Sequence, residues 1–222
     1  EAIGHSKFRG QQLFQWIYQY RKNDFLEMTN LSKSFREELH EKFELPTLSI
    51  HTTQKSTDGT EKYLIELHDK ENIEAVYIPN EKRASLCIST QVGCKMGCTF
   101  CATSYMAFTR SLKSWEIVEQ VMMVPTPKPI TNIVLMGMGE PLDNYEEVIK
   151  ALKILQDPKG LKIGKRHITL STVGLSKACD FTSWHHRRTT FENHAGQSKI
   201  PHRSFDGDLS KCEIAKGPEN YF

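Results

Sequence analysis

The sequence has no long apolar run. Nothing in its 222 residues approaches the roughly 20-residue stretch that crosses a bilayer as a helix, so no membrane partner is expected. It also lacks a dominant charge. Lys and Arg number 29 against 27 Asp and Glu, leaving a net charge of +2, which permits nucleic-acid contact without arguing for it. The opening residues, EAIGHSKFRG, show neither an initiator Met nor the charged, apolar, small-residue order of a secretory leader. The chain is therefore read as part of a longer product, expected in the cytoplasm. Repeats and low-complexity tracts are absent. Residues 176–222 contain no Val and no Met, and neither the strand nor the helix period persists there. That stretch is expected to be a divergent, disordered tail.

What remains is an ordinary globular composition, 38% hydrophobic and 25% charged, in a chain long enough for one large or two small domains. FRGQQLFQWIYQY (8–20) carries Phe8, Leu13, Phe14, Ile17 and Tyr18 at helical spacing. SKSFREELHEKF (32–43) reads as a second helix with Ser32 as N-cap. STDGT (56–60) is a turn signal, and EKYLIEL (61–67) and NIEAVYIP (72–79) read as paired strands. Residues 1–84 are thus expected to form a small α+β accessory domain.

From Ser85 the rhythm changes to strand, helix, strand, helix, strand: SLCIST (85–90), SLKSWEIVEQVMMV (111–124), ITNIVLMGMG (130–139), NYEEVIKALKILQ (144–156) and HITLSTV (167–173). Such alternation predicts an α/β region over 85–175, with a parallel sheet and right-handed crossovers. Any site would then lie in the loops at the carboxyl ends of the strands.

The six cysteines stand at 87, 94, 98, 101, 179 and 212. Four fall within fifteen residues, which in a reducing compartment points to metal or redox chemistry rather than structural disulfides. CKMGCTFC (94–101) has the spacing C-x3-C-x2-C. A closed zinc site takes four protein ligands. Three thiolates can instead hold three irons of a 4Fe–4S cube and leave the fourth open. A zinc loop or a redox pair stays an alternative, and Cys87 is a conceivable fourth ligand.

With Phe100 before the last cysteine, this loop resembles the signature of the radical S-adenosylmethionine superfamily. RASLCISTQVGCKMGCTFCAT, PITNIVLMGMGEPLDN and RHITLSTVGL, together with FRGQQLFQWIY, FLEMTNLSK, STDGTEKYL and EAVYIP, are similar to the bacterial family that methylates C2 of adenine in both ribosomal and transfer RNA. The resemblance covers roughly residues 1–175. It implies a partial (β/α) barrel of the radical S-adenosylmethionine type, incomplete here, behind an RNA-recognising accessory domain.

The resemblance also implies roles. Cys94, Cys98 and Cys101 would hold the 4Fe–4S cluster, whose open iron binds the amino and carboxylate groups of S-adenosylmethionine. Reduction would then cleave the sulfonium to a 5′-deoxyadenosyl radical. Phe100 would pack near the nucleoside. Gly139 and Glu140, in GMGEP, would contact the methionyl part, and Ser171 would make a further cofactor contact. Glu74 would be the general base beside the target adenine, which asks for a pKa raised by burial. Cys87 would resolve a covalent protein–RNA adduct through a disulfide. The implied partners are 23S ribosomal RNA, transfer RNA and a low-potential electron donor such as flavodoxin.

The methyl-carrying cysteine of that family sits in an ACGQ-like context, which neither Cys179 (SKACDF) nor Cys212 (LSKCEI) shares. This chain by itself is therefore expected not to complete methyl transfer. Two alternatives stand: the related adenine-C8 ribosomal RNA methyltransferase, and a non-catalytic Fe–S or zinc-binding module associated with RNA.

Overall fold

In the computed structural model the described residues are 6–45 and 47–175. Eight strands and four α-helices fall within them. The strands β1 (Ser49–Lys55), β2 (Glu61–Glu66), β3 (Asn72–Pro79), β4 (Ala84–Cys87), β7 (Asn132–Leu135) and β8 (Ile168–Leu170) form one sheet, in that order. Pairing is antiparallel from β1 to β4 and parallel from β4 through β7 to β8. Helices α3 (Ser114–Met123) and α4 (Tyr145–Gln156) connect the parallel strands. A two-residue pair, β5 (Gln91–Val92) with β6 (Arg110–Ser111), brackets the cysteine loop.

Strand alternation explains which face is covered. Tyr63, Ile65, Ile73, Ala75, Tyr77, Leu86, Ile133, Leu135, Ile168 and Leu170 are all buried. They share one core with Ile117, Val118 and Val121 of α3 and Val148, Leu152 and Leu155 of α4. The intervening residues Leu64, Glu74, Val76, Cys87, Val134 and Thr169 stand half-buried on the other face. The 130–139 run, expected to be a strand, pairs only over Asn132–Leu135 and buries alternate residues. The sheet does not close into a barrel among the described residues.

The 84/85 division falls inside this sheet. The β2–β3 hairpin shares the large core and pairs with β4 in register Val76↔Cys87. A separate small core belongs to the helical part alone: Phe25, Met28, Leu31, Phe35 and Leu39, with Leu13, Trp16, Ile17 and Leu45 packed on it. The helix expected over 8–20 is α-helical only for Lys7–Phe14 (α1) and widens to a π turn at Gln15–Gln19. The extra residue per turn rotates the side chains. Trp16 and Ile17 therefore meet the small core, while Phe14 approaches Gly160 and Tyr18 joins the large core. Helix α2 (Lys33–Lys42) has Ser32 at its N-cap in extended conformation, but the serine side chain makes no capping bond. The expected tail, 176–222, lies outside the described residues, with Cys179 and Cys212 in it.

Candidate active site

The carboxyl ends of β4, β7 and β8 converge, as a parallel sheet requires. The loop after β4 carries the cysteines. Gly93 opens it at φ +72°, where a Cβ would run into the Ala107 carbonyl. Gly97, at φ +61°, turns the chain between Cys94 and Cys98. The Cys101 N–H donates to the Cys98 carbonyl at 3.1 Å and closes the last turn. All three thiols are partly exposed. Phe100, between them, is 62% exposed.

The loop after β7, Gly137 to Asn144, is laced onto the base of the cysteine loop. The Gly137 N–H donates to the Ile88 carbonyl at 3.1 Å, and the Met138 N–H donates to Ser89 Oγ at 2.9 Å. The Thr90 and Gln91 N–H groups donate to the Met138 carbonyl, at 2.8 and 3.2 Å. Gly139 sits at φ +98°, and a Cβ there would lie 2.5 Å from Gln91 Cβ. What approaches this glycine is the neighbouring loop, so its conformation serves loop-on-loop packing.

Glu140 is 3% exposed. Oε1 accepts from the Leu142 N–H at 2.9 Å and from Thr172 Oγ1 at 2.6 Å, and Oε2 accepts from the Val173 N–H at 3.0 Å. Its carboxylate thus ties the β7 loop to the end of β8. Three donors leave it one lone pair, and among the described residues no cation is paired with it. Ser171 is nearly buried at the end of β8, where its N–H reaches the Leu135 carbonyl at 3.4 Å.

Burial raises the Cys94 thiol pKa, and the charges of Cys98, Glu140 and Cys101 push it further. Cys98 is raised by burial and then by Cys101 and Glu140. Three thiols and a carboxylate that feel one another make a site short of positive charge, and a bound metal reverses that balance. Among the described residues no three such side chains gather tightly enough to hold a single ion. A cube spreads three thiolates over three irons, and this donor set fits it.

Cys87 stands apart. It ends β4 on the half-buried face, between Val76 and Val134 in register. Burial raises its pKa, partly offset by a hydrogen bond from the Met136 backbone, so at neutral pH it is a thiol. Cys87, Cys94, Cys98 and Cys101 are all free, and no disulfide joins the described residues. Glu74 lies on the same face as Cys87, two residues from its cross-strand neighbour Val76. The burial expected of it is missing. Its side chain is 41% exposed and pairs with Lys62 Nζ at 2.9 Å, because β2 and β3 turn both side chains toward the uncovered face. Ser89 Oγ donates to the Glu74 carbonyl at 2.6 Å.

Comparison with known proteins agrees with this geometry. Residues 88–178 match the model of the radical SAM superfamily. The chain belongs to that superfamily. Residues 1–45 match the ribosomal RNA large subunit methyltransferase N-terminal domain. The "Dual-specificity RNA methyltransferase RlmN" of Geotalea uraniireducens (strain Rf4) is 49% identical over 172 residues, which is 78% of this chain and 50% of that protein. The probable counterpart of Bacillus subtilis (strain 168) is 47% identical over 177 residues, 78% of this chain and 49% of that protein. The chain thus spans about half the length of the curated relatives it matches. Among solved structures, a radical SAM methyltransferase from Sphaerobacter thermophilus superposes with TM-score 0.76 at 36% identity, covering 86% of this chain and 57% of that one.

Sequence reasoning missed the polar residues that hold this radical SAM site together. Gln91, Asn144, Thr172 and Gln120 are buried or nearly so. Asn144, at the N-cap of α4, makes no capping bond there. It donates instead to the Thr90 and Leu112 carbonyls, at 2.9 and 2.7 Å. Gln120, on α3, pairs with the Ser89 backbone in both directions, at 2.8 and 3.0 Å. The available signal was two polar residues, Glu116 and Gln120, among the buried apolar residues of α3.

Proposed function

We propose that this chain is the cofactor-binding part of an enzyme that methylates C2 of adenine in 23S ribosomal RNA and transfer RNA. The observation that carries the reading is the meeting of three thiols with a buried carboxylate, paired with no cation among the described residues, at the carboxyl ends of parallel strands. The names of relatives nearly half identical to it supply the substrate class.

Cys94, Cys98 and Cys101 would hold a 4Fe–4S cluster. Bound there with S-adenosylmethionine and reduced by a low-potential donor such as flavodoxin, it supplies a carbon radical, which an electron-poor ring carbon requires in place of ordinary displacement. Glu140 offers its remaining lone pair to the methionyl ammonium group, with Gly139 shaping the loop. Phe100 would pack near the nucleoside, and Ser171 would make a further cofactor contact. In the whole protein Cys87, as a thiolate, would form a disulfide with the methyl-carrying cysteine while that cysteine's sulfur–carbon bond to the RNA breaks, its electron pair passing to the carbon that becomes the methyl group. Glu74, paired with Lys62 on the half-covered face, would accept the adenine C2 proton. Residues 1–84, which include the segment matching the family's N-terminal domain, contribute RNA recognition by shape and phosphate contact. Among the described residues no helix is long and apolar enough to cross a membrane, which is compatible with work in the cytoplasm.

The test is anaerobic reconstitution followed by incubation with S-adenosylmethionine, a low-potential reductant and protein-free 23S ribosomal RNA. About four irons per chain are expected, with reductive cleavage of the cofactor. No 2-methyladenosine is expected by nucleoside mass spectrometry, since the methyl-carrying sequence context is absent from these 222 residues. Failure to take up iron would sink the reading. Turnover to 8-methyladenosine would move it to the C8 enzymes.

A further inference from the structure

One side chain joins the thiol-bearing loop to the carboxylate-bearing loop. Gln91 opens β5 at the base of the cysteine loop and is fully buried. Its Oε1 accepts from the Glu140 N–H at 2.9 Å. Its Nε2 donates to Asp143 Oδ2 at 2.8 Å and to Ser111 Oγ at 3.2 Å. The partners fix the amide's orientation, because the Glu140 N–H can only donate and the Asp143 carboxylate only accepts. Asp143 Oδ2 also receives Lys95 Nζ at 3.3 Å. Lys95 follows Cys94 directly and lies 4.1 Å over the Phe108 ring across the loop. An unbroken polar path therefore runs from Glu140 through Gln91 and Asp143 to the residue beside the first thiol.

Gln91 also explains a glycine. A Cβ at Gly139 would lie 2.5 and 2.7 Å from Gln91 Cβ and Cγ, so the two residues interlock in one arrangement. A ligand that bridges thiol-bound metal and the Glu140 carboxylate must find those two loops at a fixed spacing. Preorganised groups bind better than groups that must be ordered on binding.

We propose that Gln91 is a positioning residue for S-adenosylmethionine: it sets the spacing between the cysteine loop and the Glu140 carboxylate without touching the cofactor. This rests on the cofactor reading above. The residue is fully buried and its amide makes three hydrogen bonds, both N–H groups and one oxygen lone pair being used, so its effect is transmitted through Glu140 and Asp143.

The experiment uses the anaerobically reconstituted chain and four variants: Gln91→Met, Gln91→Glu, Asp143→Asn and the Gln91→Glu/Asp143→Asn pair. Iron content, cofactor affinity by equilibrium dialysis, and the change in the reduced cluster's electron paramagnetic resonance spectrum on cofactor addition are measured. Q91M removes all three bonds at similar length. It should keep its iron, lose affinity about tenfold, as losses of supporting bonds around metal sites do, and show a weakened spectral change. Q91E sets a carboxylate against Asp143 and should also bind poorly. Adding D143N turns that repulsion into a hydrogen bond of reversed polarity while the Glu140 N–H keeps its acceptor, so affinity should return to within about threefold of wild type. Wild-type affinity in Q91M, or a double variant no better than Q91E, overturns the proposal. So does loss of iron in step with affinity in Q91M and Q91E without recovery in the pair. A wild-type chain that takes up no iron overturns the cofactor reading itself, a result that no Gln91 outcome can mimic.

Discussion

Thr172 Oγ1 donates to Glu140 Oε1 at 2.6 Å, joining the end of the third parallel strand to the loop after the second. Both residues are nearly buried, so the bond is made in a low-dielectric setting where an unmet carboxylate oxygen is costly. Thr172→Val keeps shape and removes the donor. We expect a loss of about 2 kcal/mol, or roughly 6 °C in melting temperature for a chain of this size. Iron uptake should stay near wild type, because no thiol is touched. A melting curve within about 1 °C of wild type would show that water replaces the hydroxyl there.

Cluster ligation and thiol resolution should separate by mutation. Cys94→Ala, Cys98→Ala and Cys101→Ala should each abolish the visible iron–sulfur absorption after reconstitution. Cys87→Ala should retain it, since Cys87 ends β4 between Val76 and Val134 rather than standing in the cysteine loop. Equal bleaching in all four would make Cys87 a ligand.

The two crossover helices meet through Glu147, whose Oε2 accepts from the Ser114 N–H at 2.8 Å while Oε1 meets Lys150 Nζ at 2.6 Å. Lys150, then the Ser114 N–H, hold its pKa down at about 2. A carboxylate depressed in the folded state contributes stability above its unfolded pKa, near 4.3, and loses it as pH falls toward the folded value. Glu147→Gln should therefore melt about 3 °C lower at pH 7, from about 1 kcal/mol. The gap should narrow from about pH 4.5 downward and close near pH 2. A gap that is constant with pH would assign the effect to packing.

Contact with RNA should be electrostatic in the main. Three cations of the N-terminal unit could meet phosphate: Lys22 is paired with Glu27, Lys33 approaches Glu37 at 3.8 Å, and the Arg9 guanidinium lies 6.0 Å from the Phe35 ring centre. Exposed pairs of this kind exchange cheaply for phosphate. Affinity of the full chain for 23S ribosomal RNA should fall steeply with salt. Replacing Arg9, Lys22 and Lys33 together by Ala should reduce the salt slope by about two to three. An unchanged slope would move the RNA face elsewhere on the molecule.

The sequence by itself determined the chemistry and the layers that carry it. Cysteine spacing is a local property, so CKMGCTFC pointed to three-thiolate ligation before any fold was known. Runs such as NIVL and VIKALKIL have periods that survive in the structure because each is satisfied by one covering layer. Tertiary structure decided what depends on residues far apart in the chain. It turned Glu74 and Lys62 together onto the half-covered face, where Glu74 lacks the burial asked of a base. It widened α1 into a π turn because two cores compete for neighbouring side chains. It showed that a side chain at Gly139 would collide with Gln91. The polar lock formed by Gln91, Asn144 and Thr172 was illegible in sequence for the same reason. Gln91 and Asp143 stand 52 residues apart, Asn144 and Thr90 54, and Thr172 and Glu140 32. A buried amide or hydroxyl has no period to reveal it, and only the chain's return to the same place supplies the partner that makes its burial affordable.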